Sequence, residues 1–561
     1  MIEIVREILS RALNEMGIQA SAIPGGLNVE VPKEESMGDL ATPLAMSLAK
    51  TLKRPPRKIA EEIVERIAGR NDFEKIEVAG PGFINFTFKR EALLKSFSEL
   101  LKRGAAFFRR DIGAGRKVLL EFVSANPTGP LHLGHGRGAA LGAALSNLLA
   151  SAGYTVTKEY YVNDAGRQVE LLGKSVLARY HELFGIKTFP FPEDGYRGDY
   201  ITDIARKIKE EAGEKYIKAE GTVEKKERLH FFIRYSVDEM LKSIKADLEA
   251  FGVTFDIWQS EKELYEKKEV PGAIDYLRGR KLIYEKEGAT WFAASEFGDE
   301  KDRVLVKSGG EYTYFASDVA YHKQKADRGY DELIDIWGAD HHGYIPRVKA
   351  ALNALGYPSG QLAVLLVQMV SLLRGGKPVP MSKRAGEFVT LKEVMEEVGA
   401  DTTKFIFLTR KPDSHLDFDL EVAKAASAEN PVYYVQYANA RISSIFKNAS
   451  QQGFSLSPPE WGADKDSLSL LAEPEEIRLI KKMLFYPAVL EAAVQAREPH
   501  RVTYYLQELA GIFHPYYNRR RILGDSKERG LSLARLSLCH GIGLVIKDGL
   551  GILGVAAPEK M

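Results

Sequence analysis

The sequence predicts an α/β protein: a doubly wound parallel sheet preceded by a small α+β unit and followed by an all-helical one. Three observations point there. Two strand–turn–helix–strand units, opening at "KVLLEFV" (117–123) and "ELIDIWG" (332–338), carry the pattern of a parallel sheet split by a long insertion. Before Lys117, helical patterns surround short strands, and past residue 391 the pattern is helical to the end. A chain of 561 residues exceeds one ordinary core, and about 100–200 residues per domain suggests three. The boundaries fall at 1–112, 113–425 and 426–561.

Residues 2–16 place Ile2, Val5, Ile8, Leu9, Leu13 and Met16 on one helical face, interleaved with Glu3, Glu7 and Glu15. Further helices are expected at 39–52, 57–68 and 90–104, with strands at "LNVEV" (27–31) and "GFINFTF" (82–88). "GAGR" (113–116) marks the boundary. An apolar strand from Val118 to Val123, a Pro/Gly turn, a helix over 134–151 stopped near Gly153 and a strand from Thr155 to Tyr161 make the first βαβ unit. The insertion holds a loop, "PFPEDGYRGD" (190–199), and a charged helical stretch (224–252) whose charges read as a solvated face. The second unit runs through the turn "ADHHG" (339–343), a helix over 345–355 ended by Gly356, and a strand "LAVLLVQMV" (362–370). A helix begins past Pro431, and 453–467 reads as a loop between helices.

Composition narrows the function classes. A net charge of +1 excludes a globally basic nucleic-acid binder but not a local patch such as "NRRR" (518–521). The single Cys539 excludes an internal disulfide and a cysteine-rich zinc site, which suits a reducing compartment, the cytoplasm. The acids of the first helix argue against a transit peptide, and a signal-type apolar core is missing. No uninterrupted apolar run approaches the length of a membrane span, so no membrane partner is expected.

The first βαβ turn reads Ala125-Asn126-Pro127-Thr128-Gly129-Pro130-Leu131-His132-Leu133-Gly134-His135. Ligands of doubly wound sheets bind at the carboxyl ends of strands, and a helix N-terminus favours a phosphate. Gly134, Gly136 and Gly138 leave room for a base or phosphate, and two imidazoles supply donors. The turn is neither a P-loop nor a dinucleotide fingerprint. As a bare pattern, His-x-Gly-His equally describes a tight turn whose histidines satisfy backbone groups. A second segment, "GGKPVPMSKRAGEFVTL" (375–391), turns at Gly375, Gly376, Pro378 and Pro380 and presents Lys383 and Arg384.

Together the two segments resemble the HIGH and KMSKS signatures of class I aminoacyl-tRNA synthetases, here His132-Leu133-Gly134-His135 and Pro380-Met381-Ser382-Lys383-Arg384. "SANPTGPLHLGHGRGAALGAAL", "EYYVNDAGRQ", "YTYFASDVAYH", "GADHHGYIPRVKAAL" and "ENPVYYVQYANAR" are similar to the arginyl-tRNA synthetase family, in order along essentially the whole chain. The resemblance implies a Rossmann-type catalytic domain, an N-terminal appended domain that contacts the corner of tRNA, and a C-terminal anticodon-binding domain. It implies arginine, ATP and tRNA(Arg) as partners: arginyl-adenylate forms first, and the arginyl group then passes to the terminal adenosine. Activation is expected to need bound tRNA, and the enzyme to be a monomer.

The same resemblance assigns residues. His132, His135 and Lys383 are the catalytic donors and cation, and no protein nucleophile is needed. Pro130, His132, Gly134, His135, Met381, Ser382 and Lys383 bind ATP, whose Mg²⁺ is held by phosphates and water with no dedicated protein metal site. A guanidinium calls for a carboxylate in a dry pocket. Tyr314 and Asp318, four apart on a helix, carry the family's arginine-site pattern, joined by Glu121, Ser124, Asn126 and His342. His342 stands where some members have glutamine, Pro380 replaces the first KMSKS lysine, and Asn439 stands where many relatives have histidine. Aromatic and basic residues interleave in "YYVQYANARI" and "HPYYNRRRIL", which suits the anticodon reading the resemblance implies, while aromatic stripes at helical spacing equally describe a core face.

Overall fold

The N-terminal helix Ile2–Glu15 buries Val5, Ile8, Leu9, Ala12 and Leu13, the face its periodicity marks. The computed structural model describes residues 1–19, 23, 26–32, 34–186, 189–218, 222–379, 389–454, 465–525 and 528–561. Strands β1 (Leu40–Thr42), β2 (Phe73–Ala79) and β3 (Phe83–Phe88) form an antiparallel sheet with β3 in the centre. Two expectations change here. The helix expected over 39–52 is only Leu44–Leu52, because the residue before Pro43 is pushed out of the helical region and Leu40–Thr42 pairs with Ile84–Phe86 instead. "LNVEV" forms no strand beyond a single bridge between Glu30 and Ala41.

The parallel sheet starts with β4 (Lys117–Glu121), β5 (Thr155–Val162) and β6 (Ile257–Ser260). A three-stranded antiparallel sheet, β7 (Ile283–Lys286), β8 (Ala289–Phe292) and β9 (Arg303–Val306), follows. The chain then returns as β10 (Glu332–Gly338) and β11 (Leu362–Val367), giving the order β11-β10-β4-β5-β6 with every pairing parallel. Strand β4 stops two residues short of the expected Val123, because Val123 and Ser124 take positive φ, 68° and 40°, and turn the chain. From β4 the chain runs one way to β5 and later the other way from β10 to β11, so the crevice opens between the carboxyl ends of β4 and β10.

The apolar run 362–370 is two strands, not one. It breaks at Gln368 and Met369, and β12 (Val370–Arg374) pairs with β13 (Lys377–Pro378) and, in parallel, with β14 (Leu416–Asp419). The chain past 391 is therefore not wholly helical. Strand β14 alternates buried Leu416 and Phe418 with polar Asp417 and Asp419, and it is too short to declare itself without β12 beside it.

The insertion contributes helices Arg167–Leu183, Asp199–Ala212 and Thr222–Ala250 around their own core of Val176, Tyr180, Ile204 and Phe232. Helices Pro431–Gln451, Pro474–Ala496, His500–Arg519 and Arg529–Ile552 pack as a C-terminal bundle. The last is long and apolar enough to cross a membrane, yet 61% of its most apolar stretch is buried inside the protein, as in a core helix. Most of the loop expected at 453–467 lies outside the described residues.

The helix Leu133–Ser151 seats on the turn after β4 through Gly142, where a Cβ would come within 2.2 Å of the buried Phe122 ring. Gly142→Ala should destabilise the protein by about 1–3 kcal/mol through overpacking, despite alanine's better helix propensity. Equilibrium denaturation measures it, and an unchanged midpoint would mean that helix and ring do not pack this way.

Candidate active site

Helix Leu133–Ser151 begins where the sheet changes winding direction, and its first turn is capped by imidazoles. His132 Nδ1 accepts the Gly134 N–H at 3.1 Å, and His135 Nδ1 accepts the His132 N–H at 3.4 Å. This is a reciprocal capping box in which two histidines replace the usual hydroxyl and carboxylate. The rings stack with centroids 3.7 Å apart. With Nδ1 accepting in each, the neutral ring carries its proton on Nε2. The paired imidazoles thus satisfy backbone donors of the first turn.

The rest of the turn is pinned from several sides. Tyr160 OH donates to the Ala125 carbonyl and Tyr200 OH to the Thr128 carbonyl, both at 2.8 Å, while Asn126 Nδ2 donates to Gln168 Oε1 at 2.7 Å. Tyr200 and Gln168 belong to the helical insertion, which is thereby tied to the turn. On the other side, His132 and Thr390 form an antiparallel bridge, and the Leu391 N–H donates to the Leu131 carbonyl at 2.8 Å. Pro380, Met381, Ser382, Lys383 and Arg384 lie outside the described residues. The chain reaches residue 379 through β12 and β13, and after residue 388 it joins the histidine turn directly. One expectation is corrected: the space above Gly136 holds the Leu391 side chain, 2.6 Å from where a Cβ would sit, so this glycine admits the leucine and not a nucleotide.

The second half of the site is acidic. Helix Tyr314–Asp327 starts at Thr313, whose hydroxyl accepts the Ala316 N–H at 3.4 Å. Tyr314 is exposed in its first turn. One turn further, the Asp318 carboxylate accepts a hydrogen bond from the Tyr344 hydroxyl. Burial raises the Asp318 carboxyl against the pull of that bond and of nearby His322 and Arg347. Glu261 is also buried, and burial, then the charges of Asp318 and Asp164, push it up to about 7. The Tyr161 phenol is raised by burial and by Glu261, Asp318 and Glu121, so all four groups share one neighbourhood. A planar cation is the ligand that such a tyrosine-walled excess of carboxyls would hold.

Glu121, Ser124 and Asn126 stand at the end of β4, with their polar atoms already engaged. Glu121 Oε1 accepts the Ser124 hydroxyl at 2.8 Å, and Oε2 meets Tyr321 OH at 2.9 Å and Lys325 Nζ. Lys325 also donates to Asp335 at 2.7 Å, and His322 Nε2 lies 3.0 Å from the same carboxylate. His342 is exposed in the turn Ala339–Tyr344 and makes no contact with Asp318; Tyr344, two residues on, does. Sequence reasoning missed Tyr344 and Glu261. The first stands at the entry of a recognised helix, but nothing local to either residue announces that it is buried beside an acid.

Three family models match the chain. The model of the class I (R) tRNA synthetase catalytic domain matches residues 97–443, that of the arginyl-tRNA synthetase N-terminal domain residues 3–88, and that of the DALR anticodon-binding domain residues 435–561. The chain belongs to the arginyl-tRNA synthetase family. A protein named arginine–tRNA ligase from Citrifermentans bemidjiense is 50% identical over 536 residues, covering 95% of each chain. Its namesake from Syntrophotalea carbinolica is 50% identical over 559 residues, 99% of each. The Thermus thermophilus arginyl-tRNA synthetase structure aligns over all of both chains with a TM-score of 0.77 at 26% identity. The family uses ATP as a substrate, and the histidine turn and the acidic pocket both fall inside its catalytic domain.

The raised carboxyl of Glu261 has a consequence for stability. Its folded-state value of about 7 lies above the ordinary 4.5, so the folded protein binds this proton more tightly. Stability is therefore lost as pH rises from about 4.5 through 7. Glu261→Gln should stabilise the protein on the order of 1–3 kcal/mol at pH 8 and much less at pH 5, measured by urea unfolding at both values. Equal effects at the two pH values would show that Glu261 is not held protonated.

Proposed function

We propose that this chain is an arginine–tRNA ligase, which makes arginyl-adenylate from L-arginine and ATP and transfers the arginyl group to the 3′ end of tRNA(Arg). One observation carries the reading: a histidine-capped helix at the switch point of a class I sheet, bonded to the chain returning from the KMSKS segment, beside a tyrosine-walled acidic pocket. In this reading, Asp318 takes the guanidinium with Tyr314 and Glu261 beside it, and Tyr344 orients the carboxylate. Glu121, Ser124 and Asn126 meet the amino acid's other polar groups, and His342 remains a rim residue.

The arginine carboxylate attacks the α-phosphorus, a new C–O–P link forms, and pyrophosphate leaves with the broken bond's electrons. Negative charge spreads over phosphate oxygens as this happens, and fixed donors are worth most there. His132 and His135 contribute Nε2–H groups, and Lys383 contributes a cation; Pro130, Gly134, Met381 and Ser382 line the ATP. In this reading the Mg²⁺ travels with the ATP, held mainly by its phosphates and water. In the second step a ribose hydroxyl of the tRNA's terminal adenosine attacks the acyl carbon and AMP departs.

The flanking units, taken as 1–112 and 426–561 around a catalytic 113–425, bind the tRNA. Arg441 lies over the rings of Tyr437 at 4.5 Å and Tyr517 at 4.8 Å, and Tyr433 stacks near Tyr437, which supports a face for unpaired bases. "NRRR" contributes less than its sequence suggests, since Arg519 and Arg520 pair with Glu475 and Glu473. Asn439 is buried and donates to the carbonyls of Ala557 and Pro558, a structural post. A reducing, cytoplasmic setting suits a chain whose one cysteine, Cys539, is buried with its thiol pushed up to about 12, and the family resemblance favours a monomer.

Charging assays with tRNA(Arg) and each of the twenty amino acids should give product with arginine alone; charging with another amino acid instead would overturn the assignment. Asp318→Asn should raise the KM for arginine roughly 100-fold, because it leaves a buried cation without its anion, and an unchanged KM would remove Asp318 from the pocket. ATP–pyrophosphate exchange should require tRNA(Arg), and full exchange without it would refute that dependence.

A further inference from the structure

Two residues past His135, Arg137 is 2% exposed. Its guanidinium is bound by backbone carbonyls: Nη1 donates to Gln368 at 2.9 Å and Ser414 at 2.8 Å, and Nη2 to Lys411 at 2.8 Å. Burial lowers it to about 10, with Asp413 opposing. Packing alone does not account for such a group, because an apolar side chain of similar volume is cheaper to bury. What the planar fork adds is direction, since three carbonyls from two chain segments meet one rigid plate.

Those segments matter to the site. Gln368 is the corner between β11 and β12, and Lys411 and Ser414 lead into β14, the parallel neighbour of β12. The Gln368 N–H donates to the Pro412 carbonyl at 2.8 Å, closing the two segments on each other. Strand β12 is followed by β13, the last strand before residue 380. The 408–414 segment is in turn tied to the C-terminal bundle: the Thr503 hydroxyl donates to the Leu408 carbonyl at 2.6 Å, and Lys411 Nζ lies 3.3 Å from Glu498.

We propose that Arg137 is a positioning residue for adenylate formation, which sets the helix bearing His132 and His135 against the β12–β14 ledge. It touches no substrate. Its effect is to fix the separation between the histidine donors and the strands from which the KMSKS segment springs, and to register both against the bundle that carries the tRNA face. The inference rests on the ligase reading, and wild-type protein that fails to activate arginine would sink that reading whatever Arg137 does.

The test is tRNA-supplemented ATP–pyrophosphate exchange by Arg137→Ala and Arg137→Lys, with melting curves to establish folding. In R137A, kcat should fall roughly 100-fold, the scale of a misplacement of about 1 Å, while the KM for arginine stays within about twofold, because the Asp318 pocket does not contact this residue. Truncation at 137 vacates the guanidinium's own place, next to a small cavity lined by Leu141, Val367, Leu408 and His500. Free guanidinium at millimolar concentration should therefore restore R137A about tenfold. R137K keeps the cation but cannot bridge three carbonyls, so it should show the same kcat loss with an unchanged KM, and it carries the test if R137A does not fold. Wild-type kcat in either folded variant overturns the proposal. So does a KM that rises as kcat falls, or a folded R137A that ignores guanidinium.

Discussion

The carboxyl end of β4 is the constraint on which the rest depends. A parallel strand buried in mid-sheet must leave the sheet at a fixed edge, and here the chain does so through two non-glycine residues at positive φ, Val123 and Ser124. The next helix then starts with its N–H groups at that edge, beside the crevice left by the change in winding direction. Its cap is histidine at both positions of the box, so the orphaned N–H donors end on imidazole nitrogens.

Around that edge the charges divide into two sets. Beneath the pocket, Glu121, Asp335 and Glu159 are matched by Lys325 and by Arg328, which reaches Glu159 at 2.5 Å. Nearer the opening, Asp318 and Glu261 bond to the hydroxyls of Tyr344 and Ser317, and His322 and Arg347 lie near Asp318 without an ion pair to it among the described residues. The inner set is ion-paired within the protein, whereas burial raises both carboxyls of the outer set. The contrast lies in the partners and not in the residue type, since Glu121 and Asp318 look alike in the sequence.

Much of this was legible in advance because it is local. The strand "ELIDIWG", the helix after it, and the Pro/Gly turn with its paired histidines each follow from periodicity and turn chemistry within a few residues. Illegible parts depend on distant partners. Strand β14 exists because β12 is there to pair with it, Leu40–Thr42 is extended because β3 takes its backbone, and Gly136 is small because Leu391 needs the space. Tyr344 and Glu261 have no local signature, since what distinguishes them is burial against Asp318.

The sequence by itself determined the α/β class, the histidine turn at the head of its helix, and, through extended motifs, the family. These are properties of short segments whose conformational preferences are strong in isolation. Only the tertiary structure decided which carboxylates are spent on internal lysine and arginine, that the histidines cap one another, and that Arg137 joins the histidine-capped helix to a ledge hundreds of residues away in the chain. The reason is physical: desolvation and hydrogen-bond satisfaction depend on every atom packed around a group. Those neighbours come from elements whose adjacency in sequence says nothing about their adjacency in space.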